Sequence, residues 1–557
     1  MKHLLPFLLS ALPLVTSAQT TPYWTSAVSL PTAPAFLIQP SYAVDAIGNT
    51  YLASSFAQSV TLAPGTVLTT TSQFDQDGVV AKYSPAGTLL WYRQLKGSGT
   101  ETIQKVLLDA SGKVMVMGTA GSGAQLGTTT FNTSNFGSTM VLGQLDANGT
   151  VQYLREVGTG TLLTPASLAA DAAGNYYVSG SFALDASFGN ISLSTPITAT
   201  GYGIDQFVVK MSATGTPLWA QQGGRIFPTA GTSTANSYNH LVAIPGGGVY
   251  FTWTLPPTAG SFGTLTTPAT KGDYDGVAVK YDALGAPQWI QRVGTANADV
   301  MTFAGLDASG RLVMPSFVAP AGSLTNPSTI STVTNGSVAV LEPTAGALVW
   351  SRDLQATTSG AYRNVTADAA GNIYLAGHFS GSATIPGKTV TGAGGIDALI
   401  VSYTSAGVLR WTQQSAGTGD EIPVTLSIDN STGRLVIPGI LTGNGLFGTT
   451  ALTSTATTSG SGTPFVAFLG NVVTATRAGQ AAAPLALYPN PAANTAAVTL
   501  PTLPSGTQLT VLDGLGRVAR QQVAGATLPL AGLAPGLYVV QATAPGGAQW
   551  QSKLVVE

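Results

Sequence analysis

Asp368-Ala-Ala-Gly-Asn-Ile-Tyr-Leu-Ala-Gly-His-Phe379, Asp397-Ala-Leu-Ile-Val-Ser402 and Gly407-Val-Leu-Arg-Trp411 follow one another within one short stretch, and they decide the fold. Apolar residues alternate with small or polar ones, and Asp, Asn and Gly bound each run, which is the pattern of half-buried strands joined by tight turns. The stretch is one copy of a repeat. Its first element, Asp-x-x-Gly, recurs at Asp45, Asp109, Asp171, Asp307, Asp368 and, one residue longer, at Asp429 to Gly433. A degenerate copy, Ile244-Pro-Gly-Gly-Gly248, fills the single gap and makes seven.

The register between elements is strict. The aromatic residue of Gly-x-x-x-Trp/Tyr (Trp91, Tyr153, Trp289, Trp350, Trp411) precedes the next turn Asp by 18 residues in five cases. The strand-like runs starting at Asp77, Asp205, Asp275 and Asp397 precede their Trp by 14 residues. Such constancy is the signature of a repeated structural unit. Each unit reads as four antiparallel strands: one entering the Asp turn, one leaving it, the Asp-led run, and one carrying the Trp. Seven such units imply an all-β, seven-bladed β-propeller over residues 19–473. The seventh unit has a third strand, Pro464 to Leu469, but no Trp strand after it, while Trp24 sits unpartnered near the N-terminus, 21 residues before Asp45. The N-terminal strand is therefore expected to complete the last unit and close the array, burying edges that would otherwise be exposed.

These units resemble the bacterial SBBP-type β-propeller repeat over roughly residues 22 to 470, most closely in Asp171 to Trp219 and Asp368 to Trp411. The fourth unit departs from that pattern in having lost its Asp turn.

Composition narrows the function. Only 8% of residues are charged, the formal net charge is −2, and there is no Cys. Soluble domains usually carry about 25% charged residues. The charge balance offers no footprint for nucleic acid, and disulfides, thiolate metal sites and Cys nucleophiles are excluded. Residues 1–18 read as a signal peptide: Lys2 and His3, an apolar run from Leu4 to Val15, and small residues Thr16-Ser-Ala18 before the expected cleavage.

A small-residue stretch, 474–484, reads as a linker. After it, residues 485–557 carry Tyr488-Pro489-Asn490-Pro491, Asp513-x-x-Gly516-Arg517-Val518, Leu533-x-x-Gly536-x-Tyr538 and Lys553-Leu-Val-Val556 among short strands. The strand pattern fits a small β-sandwich. The four motifs, in this order, resemble the type A sorting domain of the Bacteroidetes type IX secretion system. That resemblance implies recognition by the type IX machinery at the outer membrane, cleavage near the linker, and release or anchoring at the cell surface.

Candidate chemistry is sparse. No Gly-x-Ser-x-Gly elbow, phosphate loop or His-Glu-x-x-His occurs. Past the signal peptide only His240 and His378 remain, too few for a catalytic zinc site. The repeated Asp turn reads as backbone capping rather than as a calcium loop, and the repeated Trp as packing rather than as part of a quinoprotein site. No catalytic residue, cofactor or metal is expected. The one breach of register lies between Trp219 and the fourth turn, where the interval is 25 residues instead of 18. This insertion brings Arg225, Phe227, Tyr238, Asn239 and His240 into a chain poor in such side chains, and it is the candidate ligand loop, expected to rim a site with the long connections between second and third strands. The functional expectation is a monomeric, non-enzymatic binding or adhesion scaffold at the cell surface, with a glycan or an extracellular protein as ligand. The alternatives are a propeller enzyme (a polysaccharide lyase or hydrolase, or a quinoprotein-like enzyme) and a structural surface-layer component.

Overall fold

The computed structural model describes residues 22–30, 38–72, 74–133, 138–198, 201–226, 239–255, 260–269, 274–319, 335–430, 432–454, 462–470, 483–513, 518–544 and 549–557. The signal-peptide reading and all but the last two residues of the linker lie outside these. The described residues form strands, turns and connections and no helix. The chain divides into two compact units, Met1–Val473 and Thr474–Glu557.

Among the described residues of the first unit, seven antiparallel sheets are each built on four strands, six of them in the order in which the sequence presents them, beside three smaller sheets. In the sixth these are Ser359–Ala367, Ile373–Ser380, Asp397–Tyr403 and Leu409–Gln414. The first sheet runs from Ile38–Val44 to Leu89–Lys96, the second from Thr102–Leu108 to Val151–Gly160, and the third from Thr164–Ala170 to Pro217–Ile226. The fourth runs from His240–Ala243 to Pro287–Val293 and the fifth from Ala298–Met301 to Leu348–Ala356. The seventh joins Asp420–Pro423, Arg434–Thr442 and Thr463–Leu469 to the N-terminal strand Trp24–Ser29, which pairs antiparallel with Thr463–Leu469. Among the described residues, several connections between second and third strands carry hairpins rather than open loops. In the second sheet's connection, Gln125–Leu126 and Thr129–Thr130 form a hairpin that pairs with the outer strand of the first sheet, and comparable hairpins attach to the second, third and fifth sheets.

Side-chain chemistry explains the turn motif. Asp171 Oδ1 accepts the backbone N–H groups of Ala173 (3.0 Å) and Asn175 (2.9 Å), and its other oxygen accepts Asn175 Nδ2 (2.9 Å) and the Tyr177 hydroxyl (3.3 Å). Lys210 from the third strand completes the cluster at 3.5 Å. The Asp therefore caps the turn and ties three strands, which is why Asp, Gly, Asn, Tyr and Lys keep their spacing. The fourth unit forms the same backbone turn without the carboxylate: Gly247 N–H donates to Ile244 O at 2.9 Å, and Gly246, Gly247 and Gly248 all have positive φ.

The Trp motif joins sheets. Trp91 Nε1 donates to Ala147 O (3.0 Å), Trp219 to Ala283 O (3.1 Å), Trp289 to Pro343 O (3.1 Å) and Trp350 to Ser405 O (3.0 Å); each acceptor lies in the turn before the next sheet's fourth strand. The glycine of that turn lies against the indole. A Cβ on Gly149 would come within 2.6 Å of Trp91, and one on Gly407 within 2.7 Å of Trp350. Trp24 does not repeat this arrangement. Lys82 faces Trp91, but the corresponding Phe468 faces Ser26, so Trp24 stands two residues from the docking position and donates instead to Gln414 O at 2.7 Å.

A further periodicity lies at the sheet junctions. Asp77 and Glu101, Asp275 and Asp299, and Asp397 and Glu421 are each 24 residues apart, and all six side chains are buried. In each pair the backbone N–H of the second acid donates to the carbonyl just before the first, as Glu101 to Gln76 O (2.8 Å), Asp299 to Tyr274 O (2.6 Å) and Glu421 to Ile396 O (2.7 Å). Burial, with Asp397 close by, pushes the Glu421 carboxyl up to about 8, although Ser415 Oγ donates to it at 2.9 Å.

Two outcomes follow. Deleting residues 19–30 strips the outer strand from the seventh sheet and exposes the edge of Thr463–Leu469, so the chain should melt at a lower temperature and aggregate; differential scanning calorimetry and light scattering check this. Glu421 ionises above pH 4.5 when unfolded but holds its proton to about 8 when folded. Its stabilisation is therefore complete below pH 4.5 and is lost as pH rises to about 8. Glu421→Gln should flatten that decline and melt higher than the parent at pH 8, as read by melting temperature across pH 4 to 9.

Candidate functional site

The first strands of the seven sheets lie next to one another. Val106 N–H donates to Ser41 Oγ (3.2 Å), Leu241 N–H to Ser167 Oγ (3.1 Å), Phe303 N–H to Arg363 O (3.2 Å) and Asn364 Nδ2 to Thr425 Oγ1 (3.3 Å). These bonds join the first sheet to the second, the third to the fourth, the fifth to the sixth and the sixth to the seventh. Strand Thr102–Leu108 adjoins Thr164–Ala170, His240 packs edge-on to Phe303 at 5.0 Å between ring centroids, and Val424 packs on the cluster that holds Tyr42.

Where these strands converge they leave a cavity of about 70 Å³ lined by side chains from five sheets, among them Lys105, His240, Phe303 and Arg363. Three of them, Lys105, His240 and Phe303, come from one register. Ser41, Lys105, Ser167, His240, Phe303, Asn364 and Thr425 each stand four residues before the turn of their unit. A β-bulge interrupts several of these strands at or next to that point, between Ile103 and Lys105 and between Tyr362 and Asn364, and re-aims the side chains there.

The electrostatics are one-sided. Lys105 Nζ lies over the Phe303 ring at 5.3 Å, and burial alone brings its ammonium down to about 8. Burial, with Lys105 adding to it, lowers His240 to about 3, so its ring is neutral at any physiological pH; its Nδ1 is buried with no hydrogen-bond partner. Arg363 Nε donates to His378 Nδ1 at 3.1 Å. His378, an ordinary strand residue by sequence, is thus a neutral acceptor that orients a cavity guanidinium. Among the described residues no carboxylate lines the cavity.

The candidate ligand loop is only partly represented here. Asn239 and His240 reach the cavity, and Asn239 is fixed there by Ser179 Oγ (2.7 Å) and by its own bond to Gln206 Oε1 (2.9 Å). Arg225 lies in strand Pro217–Ile226, while Phe227 and Tyr238 lie outside the described residues. Sequence reasoning missed Lys105, Phe303 and Arg363. For Lys105 the signal was available: aligning the repeats on their turns puts a cation at a strand position four before the turn, whereas Phe303 is unremarkable there and Arg363 stands five before its turn.

The second compact unit has a five-stranded sheet, which includes Gln508–Leu512, Gly536–Thr543 and Gln549–Val556, and a two-stranded sheet of Ala497–Thr499 with Thr527–Pro529. Both contribute to one core, with Val498, Leu509, Leu528 and Val540 buried in it. The motif residues meet here. Asn490 Nδ2 donates to Lys553 O (2.7 Å) and its Oδ1 accepts Val555 N–H (2.9 Å), so the amide acts as a short extra strand against the terminal one. The Tyr488-Pro489 and Asn490-Pro491 bonds are both cis. The Tyr538 hydroxyl donates to Ala534 O (2.9 Å), closing the turn before Gly536, and the Tyr488 ring is 78% exposed. Gly516 and Arg517 lie outside the described residues.

Residues 486–557 match the family model of the secretion system C-terminal sorting domain. This chain is accordingly exported through the type IX system to the cell surface or extracellular space, and its C-terminal unit interacts with that machinery. No curated protein matches the chain. Among solved structures it is similar to an ulvan lyase of polysaccharide lyase family PL25 bound to -[GlcA(1-4)Rha3S]- (10% identity, 76% of this chain and 97% of that one, TM-score 0.41). It is also similar to a fungal alcohol oxidase of the AA5 family in complex with copper (13% identity, 96% and 100%, TM-score 0.38). A third is a protein of unknown function from Dyadobacter fermentans DSM 18053 (9% identity, 66% and 93%, TM-score 0.34). At these TM-scores none bears on the chemistry of this chain.

Deleting residues 485–557 should leave the first unit folded and retained in the periplasm. Fractionation and immunoblotting check this, and surface display of the truncated chain at parental level would contradict it.

Proposed function

We propose that the chain is a seven-bladed β-propeller of SBBP-type repeats, closed by its N-terminal strand and followed by a small β-sandwich, that acts at the cell surface as a monomeric, non-enzymatic binding or adhesion scaffold. Seven four-stranded sheets, bonds between neighbouring first strands, and the pairing of Trp24–Ser29 with Thr463–Leu469 support the closed propeller. Export through the C-terminal sorting domain supports the address. The observation that carries binding over catalysis is the cavity lining. Among the described residues its ionisable side chains are Lys105, His240 and Arg363, with no carboxylate beside them. Glycoside hydrolysis by its usual route needs a pair of carboxyl groups flanking the bond. His240, held neutral down to about pH 3, cannot serve as a proton donor at neutral pH.

The secreted chain applied to glycan and matrix-protein arrays should retain at least one ligand without converting it. New reducing ends or unsaturated sugars released from a bound glycan would overturn the non-enzymatic reading. Retention of nothing on either array, with the chain forming an ordered surface coat, would replace it with a structural one.

A further inference from the structure

We infer that a groove along the open edge of the first sheet's outer strand binds a segment of an acidic polysaccharide. The inference rests on the binding-scaffold reading, and it names the ligand class and the place on the molecule.

Strand Leu89–Lys96 meets the second sheet's hairpin only at its end, where Leu95 faces Leu126 and Lys96 faces Gln125. The rest of its edge borders a groove of about 610 Å³, which is also lined by Gly127 and Thr128 of the hairpin turn and by Thr150 of the second sheet. That volume lies in the usual range for ligand sites, roughly 300–1,000 Å³. The strand itself contributes Trp91, Tyr92, Arg93, Gln94 and Lys96 to the lining. Trp91 is half-buried, whereas Trp289, Trp350 and Trp411 are buried. Two neighbours of Trp91 depart from the repeat. The residue after the motif aromatic is Tyr92 here, but Leu154, Ala220, Ile290, Ser351 and Thr412 in the other units. The position after that holds Arg93, Arg155 and Arg352 in three units. Arg155 donates to Thr214 O, and Arg352 Nε to Gly407 O at 2.9 Å, so each is tied to the turn of the following sheet. Arg93 is not. Its Nη1 donates to Tyr92 O on its own strand (2.6 Å), and among the described residues no other acceptor bonds its guanidinium.

The lining selects the class of ligand. A sugar ring offers C–H faces that pack on aromatic rings with a polar tip, and hydroxyls that bond to amides and guanidinium groups. Tyr92 and Trp91 serve the first need. Gln94 serves the second, its amide held in place by Nε2 bonds to Thr69 O (3.0 Å) and Asp77 Oδ2 (2.5 Å). Arg93 and Lys96 set the sign of the ligand. Among the described residues neither has a carboxylate within ion-pair distance. The acids whose field reaches them are already bonded, Asp146 to the N–H groups of Asn148 (2.9 Å) and Thr150 (2.8 Å), and Asp77 to Gln94. A guanidinium and an ammonium in one groove match the carboxylates or sulfates of an acidic glycan. An added peptide strand fits less well. A β-bulge breaks the edge between Leu89 and Trp91, and the hairpin closes it at Leu95, so only Trp91 to Gln94 stay open. That is shorter than a typical strand of about 5–6 residues, and an edge lysine opposes such pairing.

The test titrates the full secreted chain calorimetrically with an oligogalacturonate hexamer, a sulfated galactan hexamer, a neutral malto-hexamer and an extended acidic peptide. At least one acidic hexamer should bind with a stoichiometry of one, and the neutral hexamer at least tenfold more weakly. Raising the salt to ~0.5 M should cost the acidic hexamer several-fold in affinity, a readout that needs no variant. Tyr92→Ala and Arg93→Gln should each weaken binding about tenfold, in line with loss of a ring contact or of a hydrogen bond to a charged group, with the melting temperature unchanged. Arg155→Gln, at the equivalent position of the second sheet, should bind as the parent does. Failure of both acidic hexamers, equal affinity for the neutral one, tighter binding of the peptide, or affinity unchanged in both groove variants would overturn the site. Retention of some other ligand on the arrays, unaffected by Tyr92→Ala and Arg93→Gln, would sink the groove alone. Groove-dependent binding followed by release of new reducing ends or unsaturated sugars would sink the non-enzymatic reading alone.

Discussion

The contact between an indole and the bare backbone of the next sheet's turn is the constraint on which the first unit depends. In four junctions the Trp N–H is bonded to a turn carbonyl while the turn glycine lies against the ring face. Two separate demands meet in that glycine. The turn needs a positive φ, which is 80° at Gly149 and 75° at Gly407, and the ring leaves no space for a Cβ. Any other residue would meet both backbone strain and a steric clash. Burying an indole between sheets is worth a few kcal/mol, about 2–3 for a large apolar side chain, and repeating the contact fixes each sheet's position relative to the last. That is why the interval from turn to turn varies so little in sequence.

The same logic explains the seam. The seventh sheet takes its third strand from one end of the unit and its fourth from the other, so no tight turn exists there to supply a docking glycine. Ser26 occupies the place of the docking Trp. Trp24 compensates from two residues away, bonded to Gln414 O and set edge-on to Phe447 at 5.1 Å. The looser interval from Trp24 to Asp45 is thus a consequence of a different contact, made by the same residue type for the same purpose. Pairing the two ends also makes the longest-range contact of the unit, which ties the order of the last sheet to the whole chain between them.

Much of this was legible because repetition separates structure from noise. Asp45, Asp171 and Asp368 do the same capping work, and reading them together revealed the turn, the strand order and the missing outer strand. Two features escaped for physical reasons. The acid pairs 24 residues apart cross from one unit to the next, so dividing the chain at its turns hides them. Three cavity residues, Lys105, His240 and Phe303, share a register four before the turn with Ser41, Ser167, Asn364 and Thr425, but the seven share no identity that a repeat would reveal. The register breach before the fourth turn did draw attention to Asn239 and His240. It could not show that Lys105 and Arg363, in unbroken repeats far along the chain, stand beside them, because that adjacency arises only when the first strands converge.

Buried charge in this molecule gathers at sheet junctions and turns, where acids and cations meet. The chain has few charged residues, yet it commits six acids to sheet junctions and Lys105 and Arg363 to the cavity. The acids answer one another. Each pair is latched by a backbone bond; the Glu421 carboxyl holds its proton, so that its charge is removed by titration, while Asp275 has a buried partner in Arg292 Nη1 at 3.5 Å. A carboxyl that loses its water at a junction must keep its proton, as Glu421 does, or meet a cation, as Asp275 meets Arg292, and either answer serves the fold without a ligand from outside.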